Sequence, residues 1–214
     1  MIQIYGSSLS PFARKAMVFA TEKGVPFEVK PGGRNADDAD FVEASPFGKI
    51  PAMKDGDFLL ADSSAIVTYL EAIKPEPGLI PTEPKARART VWFDEFADTL
   101  LADCGAKIFF TRVVGPKFLK IPTDPAVADA AQRDTFPKLV DYVESVIPAS
   151  GYLVEDRFTL ADIAVASPFA TLAYVDCPVN AGSHPKTAAY LERILARESF
   201  ARLIEQEKAL LATM

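Results

Sequence analysis

Three short segments near the amino terminus carry residue types that could do chemistry. In Ser7-Ser8-Leu9-Ser10-Pro11-Phe12-Ala13-Arg14, Ser10 stands where a helix N-cap belongs and Pro11 where the first helical residue belongs. A helix beginning there presents partial positive charge and unpaired N–H groups. A hydroxyl at its mouth can then donate to an anion held in that field. Ser45-Pro46-Phe47-Gly48-Lys49-Ile50-Pro51 ends in an X-Pro bond at the start of a strand, where cis geometry is accessible. A cis bond there would leave the Ile50 N–H and C=O facing outward for an extended peptide. Ala61-Asp62-Ser63-Ser64 offers helix-start amides and two hydroxyls beside an acid. Ser63 and the amides suit a carboxylate, and Asp62 suits an ammonium group. Each segment alone also reads as a plain cap or turn.

Composition removes most other chemistries. The chain has 214 residues with one histidine, His184, and two cysteines, Cys104 and Cys177. A multi-histidine metal site, a CxxC pair and a four-cysteine zinc site cannot be assembled from that set. A Ser/His/Asp triad would have to use His184, and no G-x-S-x-G elbow accompanies it. The formal charge of −6 disfavours nucleic acid as a partner. The longest charge-free apolar stretch, Ile163 to Val175, contains Ser167, Pro168 and Thr171 and falls short of the ~18 residues a membrane span needs. No basic n-region with an apolar h-region is visible, so the expected setting is soluble, reducing and cytoplasmic.

The elements that must position the three segments follow from periodicity. Ile2–Tyr5 reads as a strand, and Phe12, Ala16, Phe19 and Ala20 mark one helix face over Pro11–Lys23. Gly24 suits the helix end, and Phe27–Lys30 reads as a second strand. The polar stretch Asn35 to Glu43 is a short helix or loop. Asp55-Gly56 between Ile50–Lys54 and Phe58–Leu60 signals a hairpin. Ile66, Tyr69, Leu70 and Ile73 mark a further helix, closed by Pro75. Pro75, Pro77, Pro81 and Pro84 form a stiff linker. Beyond it the spacing predicts helices over 85–114, 127–147, 160–174, 186–197 and 200–212, with Ser199 capping the last. The expected fold is α/β plus all-α: an α/β domain over 1–80 and an all-helical domain over 85–214.

Within 63 residues, a serine at the first helix start, a G-K-I-P hairpin entrance and a D-S helix start occur in order. This order resembles the cytosolic glutathione transferase superfamily, particularly its serine-type bacterial members. The resemblance extends through Leu79-Ile80-Pro81, Ala86-Arg87-Ala88-Arg89 and Phe158-Thr159-Leu160-Ala161-Asp162-Ile163. In the last segment Thr159 and Asp162 stand as an N-capping box.

The resemblance implies a thioredoxin-like βαβ-α-ββα domain that binds glutathione as co-substrate, without a metal. The helical domain would shape the site of a small hydrophobic electrophile. Ser10 would donate to the glutathione sulfur and favour its thiolate. Ile50 would pair with the cysteinyl backbone across a cis Pro51, Asp62 and Ser63 would hold the γ-glutamyl end, and Lys49 could reach the glycyl carboxylate. Ser7 and Ser8 compete with Ser10, since relatives resembling the maleylacetoacetate isomerase branch use an early serine of an S-S-x-S run. Tyr5 occupies the place of the tyrosine used by other classes, without their surrounding pattern. No cysteine precedes Cys104, which disfavours a glutaredoxin-like mechanism.

The implied activity is glutathione transfer in detoxification, by a homodimer. Alternatives are an isomerase or peroxidase using the same thiolate, or a catalytically silent glutathione-binding stress or scaffold protein. Phe12, Phe109, Phe110, Arg112 and Val113 are candidates for the electrophile pocket, with Arg112 steering an anion; equally they could be interhelical core. Cys104 and Cys177 read as buried apolar residues, His184 as a helix-entry residue and Trp92 as packing. Arg14 and Lys15 oppose the helix dipole unless paired, and could lie at a subunit contact or attract the glutathione anion.

Overall fold

The structure is a computed structural model that describes residues 1–33 and 36–213. Asn35, where the polar stretch was expected to begin, lies outside the described residues, as do Arg34 and Met214. The chain divides into two compact units, Met1–Pro81 and Thr82–Met214.

The first unit runs β1 (Ile2–Tyr5), α1 (Pro11–Glu22), β2 (Phe27–Lys30), α2 (Ala39–Ala44), β3 (Ala52–Asp55), β4 (Phe58–Ala61) and α3 (Ser63–Ile73). The strands form one mixed sheet in the order β2-β1-β3-β4, with β1 and β2 parallel and the other pairs antiparallel. This is the thioredoxin-like arrangement. The β3–β4 hairpin turns on Gly56-Asp57, one residue later than the Asp55-Gly56 pair, and Gly56 takes a φ of 61°. Strand pleating divides the core. Tyr5 and Ala52 pack with Phe41 of α2 on one face, while their neighbours Ile4 and Met53 are fully buried on the other. α1 and α3 pack side by side.

The second unit is helical: α4 (Pro84–Glu95), α5 (Ala102–Phe109), α6 (Pro125–Ala130), α7 (Phe136–Val146), α8 (Leu160–Leu172), α9 (Pro185–Leu195) and α10 (Glu198–Ala212). Every residue of α8 is buried, and α4, α5 and α9 pack on it. The capping box is present: the Thr159 N–H donates to Asp162 Oδ2 at 2.9 Å, and the Leu153 N–H donates to Oδ1 at 3.0 Å. Burial pushes the Asp162 carboxyl up to about 6, against the lowering effect of these donors.

Two expectations need correction. The first helical span does not end at residue 114 but continues to Leu119, with wider π-type turns over Phe96–Leu101 and Phe110–Leu119. Gly115-Pro116 reads as a stop in an α-helix. In an i→i−5 pattern Pro116 leaves only the Thr111 carbonyl without its donor, and Thr123 Oγ1 supplies that bond at 2.8 Å. Ser199 is not the cap of the last helix. α10 begins at Glu198, with Arg197 at the N-cap, and Ser199 is buried in its first turn. Glu198 there complements the dipole directly.

Candidate functional site

Sheet register brings the three amino-terminal segments to one edge. Tyr5 pairs with Ala52, and Ala52 pairs with Ala61. The chain after Tyr5, the chain before Ala52 and the chain after Ala61 therefore leave the sheet at the same end. Those departures are the Gly6–Ser10 turn, the Ile50-Pro51 step and the Asp62-Ser63 corner.

At the first departure Ser10 is the N-cap of α1, its Oγ accepting from the Ala13 N–H at 3.4 Å, with Pro11 at the first helical position. Capping uses a lone pair, so the hydroxyl hydrogen can still be donated. Ser7 is exposed, and its Oγ accepts from the Leu9 N–H at 3.4 Å. Ser8 lies half-buried in the same turn. Gly6 packs against the second departure: a Cβ there would come within 3.1 Å of Ile50 Cβ and 3.3 Å of Ala13 Cβ.

The Ile50-Pro51 bond is cis. Strand pairing of β3 begins at Ala52 on both sides, which leaves the Ile50 N–H and C=O beyond the ladder. Ser45, buried, fixes the approach by accepting from the Lys49 N–H at 3.0 Å and donating to the Lys49 carbonyl at 2.7 Å. The Lys49 side chain is exposed. Neither the Ser45 clamp nor the Gly6 contact was anticipated. The S-x-x-x-K spacing and a glycine directly after a strand were their only signals.

Asp62 caps α3 from a φ of 81°, a left-handed conformation unusual for a residue other than glycine. Its Oδ1 accepts from the Ser64 and Ala65 N–H groups at 2.9 and 3.1 Å. Asp62 is exposed and Ser63 is buried. Tyr5 faces elsewhere. Its ring lies 5.8 Å from that of Phe41, its hydroxyl donates to Gln3 Oε1 at 3.1 Å, and burial beside Asp38 and Asp40 pushes the phenol up to about 12.

Phe12 is half-buried beside Ser10 in the first unit. Within the helical unit Phe109 and Val113 are buried and Phe110 is exposed. The Arg112 guanidinium donates to the Val175 carbonyl at 2.9 Å and to Asp129 at 3.1 Å, tying its helix to two neighbouring segments. Both cysteines are buried, and burial pushes the Cys177 thiol up to about 11. The Trp92 indole, half-exposed, donates to the Tyr142 hydroxyl at 2.6 Å.

His184 is the N-cap of α9, with Nε2 2.7 Å from Asp141 and Nδ1 2.9 Å from Ser183 Oγ. The Ser183 hydroxyl also lies 3.3 Å from the Asn180 carbonyl, which can take its proton. Glu144 of α7 meanwhile accepts from the Lys186 and Thr187 N–H groups. This Ser–His–Asp series is a clip between α7 and the start of α9.

Known proteins share this architecture. A model of the glutathione S-transferase N-terminal domain matches residues 4–78, and one of the C-terminal domain matches residues 101–198. A glutathione S-transferase of Hyoscyamus muticus is 30% identical over 97% of this chain and 99% of its own. A stringent starvation protein A homolog of Coxiella burnetii is 26% identical over 98% of this chain and 95% of its own. The crystal structure of the theta class glutathione S-transferase from Xanthomonas axonopodis pv. citri with glutathione bound superposes with a TM-score of 0.79 at 26% identity, covering 95% of this chain and 96% of that one. Two domain matches in order and a full-length relative leave one assignment: the chain belongs to the glutathione S-transferase family.

Proposed function

We propose that this chain activates glutathione through the Ser10 hydroxyl for attack on a small hydrophobic electrophile. The observation that carries the reading is the shared register of Tyr5, Ala52 and Ala61, which gathers Ser10, Ile50 and Asp62-Ser63 at one sheet edge. An extended tripeptide laid along that edge would present its cysteinyl backbone to Ile50. Its sulfur would point toward Ser10 and its γ-glutamyl end toward Asp62-Ser63. Both Asp62 cap bonds fall on Oδ1, so Oδ2 retains capacity for an ammonium group. Lys49, exposed, would meet the glycyl carboxylate from solvent.

The chemistry is thiol ionisation followed by attack. A free thiol has a pKa of about 8.5, and lowering it by about two units needs about 3 kcal/mol. A hydrogen bond to the thiolate supplies about 1.5–3 kcal/mol. The start of α1 adds about 0.3–1 kcal/mol. Once the thiol proton has passed to solvent, a sulfur lone pair forms the new bond to carbon while a leaving group departs with its bonding pair or, in an addition, the π pair shifts to the far atom, which takes a proton from solvent. Ser10→Ala should lower kcat about 10- to 100-fold while leaving glutathione affinity within about threefold. Unchanged kcat would remove Ser10 from this role.

A second reading is a stress protein that binds glutathione without turnover, its stress role suggested by the relative of Coxiella burnetii named for stringent starvation. Binding of glutathione with no consumption across a panel of aryl halides, enals, hydroperoxides and cis-enones would select it. In either case we expect a cytoplasmic homodimer, which sedimentation at monomer mass would refute.

A further inference from the structure

Lys15 is an ammonium buried in the first unit, 1% exposed, on the helix whose N-cap is Ser10. Its position is unfavourable on two counts. A cation in the first turns of a helix opposes the dipole, and taking an ammonium out of water is costly. Such a residue persists where a specific engagement offsets both effects.

One engagement crosses to α3: Lys15 Nζ donates to Ser64 Oγ at 3.1 Å, 49 residues away in sequence. Ser64 is in turn one of the two residues, with Ala65, whose N–H groups hold the Asp62 carboxylate. Its N–H donates to Asp62 Oδ1 at 2.9 Å, and its carbonyl accepts from Thr68 Oγ1 at 2.7 Å. Asp62 holds a left-handed φ of 81°, a conformation that lasts only where surrounding bonds over-determine it. The chain of contacts runs from α1 through Lys15 and Ser64 to the carboxylate at the start of α3.

We propose that Lys15 is a positioning residue for substrate binding: through Ser64 it holds Asp62 in the strained geometry that receives the γ-glutamyl ammonium. The inference rests on the reading of Asp62-Ser63 as the seat of that group. Because Ser10 and Lys15 share one short helix, the residue at the sulfur and the residue bracing the amino end move as a unit. Lys15 thereby fixes the spacing between the two ends of the bound peptide. At 1% exposure the Lys15 side chain offers no surface for a direct subunit contact.

The test is a binding comparison by titration calorimetry, using glutathione and its des-amino analogue, in which hydrogen replaces the γ-glutamyl ammonium. The wild type should bind glutathione at least about tenfold more tightly than the analogue. Lys15→Met should weaken glutathione binding about tenfold, leave the analogue within about twofold, and so erase the discrimination. Lys15→Arg should restore most of it. If Lys15→Met does not fold, Ser64→Ala removes only the accepting oxygen and should narrow the discrimination in the same way. Equal weakening of both ligands, with discrimination intact, would overturn the positioning role and leave the Asp62-Ser63 reading standing. A wild type that binds both ligands equally would overturn that reading and this inference together.

Discussion

Gly6 lies so close to Ile50 that a Cβ on Gly6 would stand 3.1 Å from the Ile50 Cβ. The same Cβ would meet Ala13 of α1 at 3.3 Å, and Gly6 holds a φ of 143° that L side chains rarely adopt. The strand-end glycine thus sets the distance between the Ser10 helix start and the Ile50 backbone. Gly6→Val should lower stability by about 1–3 kcal/mol and weaken glutathione binding at least about tenfold. Chemical denaturation and calorimetry measure the two effects. Wild-type affinity in a folded Gly6→Val variant would show that this spacing does not set the site.

Tyr5 gives a control on the identity of the sulfur ligand. Its ring packs on Phe41 and its hydroxyl meets Gln3, on the α2 side of the sheet. Tyr5→Phe should leave kcat within about twofold while costing about 1 kcal/mol of stability from the lost hydrogen bond. A hundredfold fall in kcat would transfer the sulfur role from Ser10 to Tyr5.

Lys23 closes the first unit. Its fully buried ammonium lies 2.7 Å from Glu71 Oε2 and also donates to the Pro75 and Pro77 carbonyls. Glu71 Oε1 accepts from the Leu79 and Ile80 N–H groups at 3.1 and 3.2 Å. Removing one partner strands the other, so Lys23→Met should destabilise by about 3–5 kcal/mol. The lower urea midpoint would report it, and a midpoint equal to wild type would contradict the anchoring role.

Asp162 gives the helical unit a pH signature. Its carboxyl is raised to about 6 by burial, above the unfolded value near 3.9. The native state therefore binds more protons between those limits, and stability from this group is full below about pH 4 and lost as pH rises through about 6. The span of about two units corresponds to about 3 kcal/mol. Asp162→Asn removes the titration, so the advantage of wild type over Asp162→Asn should shrink by up to that amount between pH 4 and 7. Denaturation curves across that range check it; a difference constant with pH would refute the raised pKa.

What could be read from sequence was what short-range chemistry controls. Ser10-Pro11 marks a helix start, Thr159 and Asp162 mark another, and the proline series from Pro75 to Pro84 sits at the division after Pro81. The cis Ile50-Pro51 step and the Asp62 helix cap were legible for the same reason. Their convergence required the register Tyr5–Ala52–Ala61, which no local pattern encodes. Continuation of the helical span through Pro116 depends on Thr123 reaching Thr111, a bond between residues 12 apart. Sequence left Lys15 between a subunit contact and attraction of the glutathione anion, because its bond to a serine 49 residues distant is not a local pattern. Ser199 was misplaced because a good capping residue does not exclude a start one residue earlier at Glu198.

If the Ser10 hydroxyl stabilises the glutathione thiolate, the ionisation of the bound thiol must depend on it. Thiolate absorbance would be titrated against pH for glutathione bound to wild type and to Ser10→Ala, each at saturation. Loss of one hydrogen bond worth about 1.5–3 kcal/mol should raise the bound thiol pKa by about one to two units. Superimposable titration curves for the two proteins would contradict the assignment.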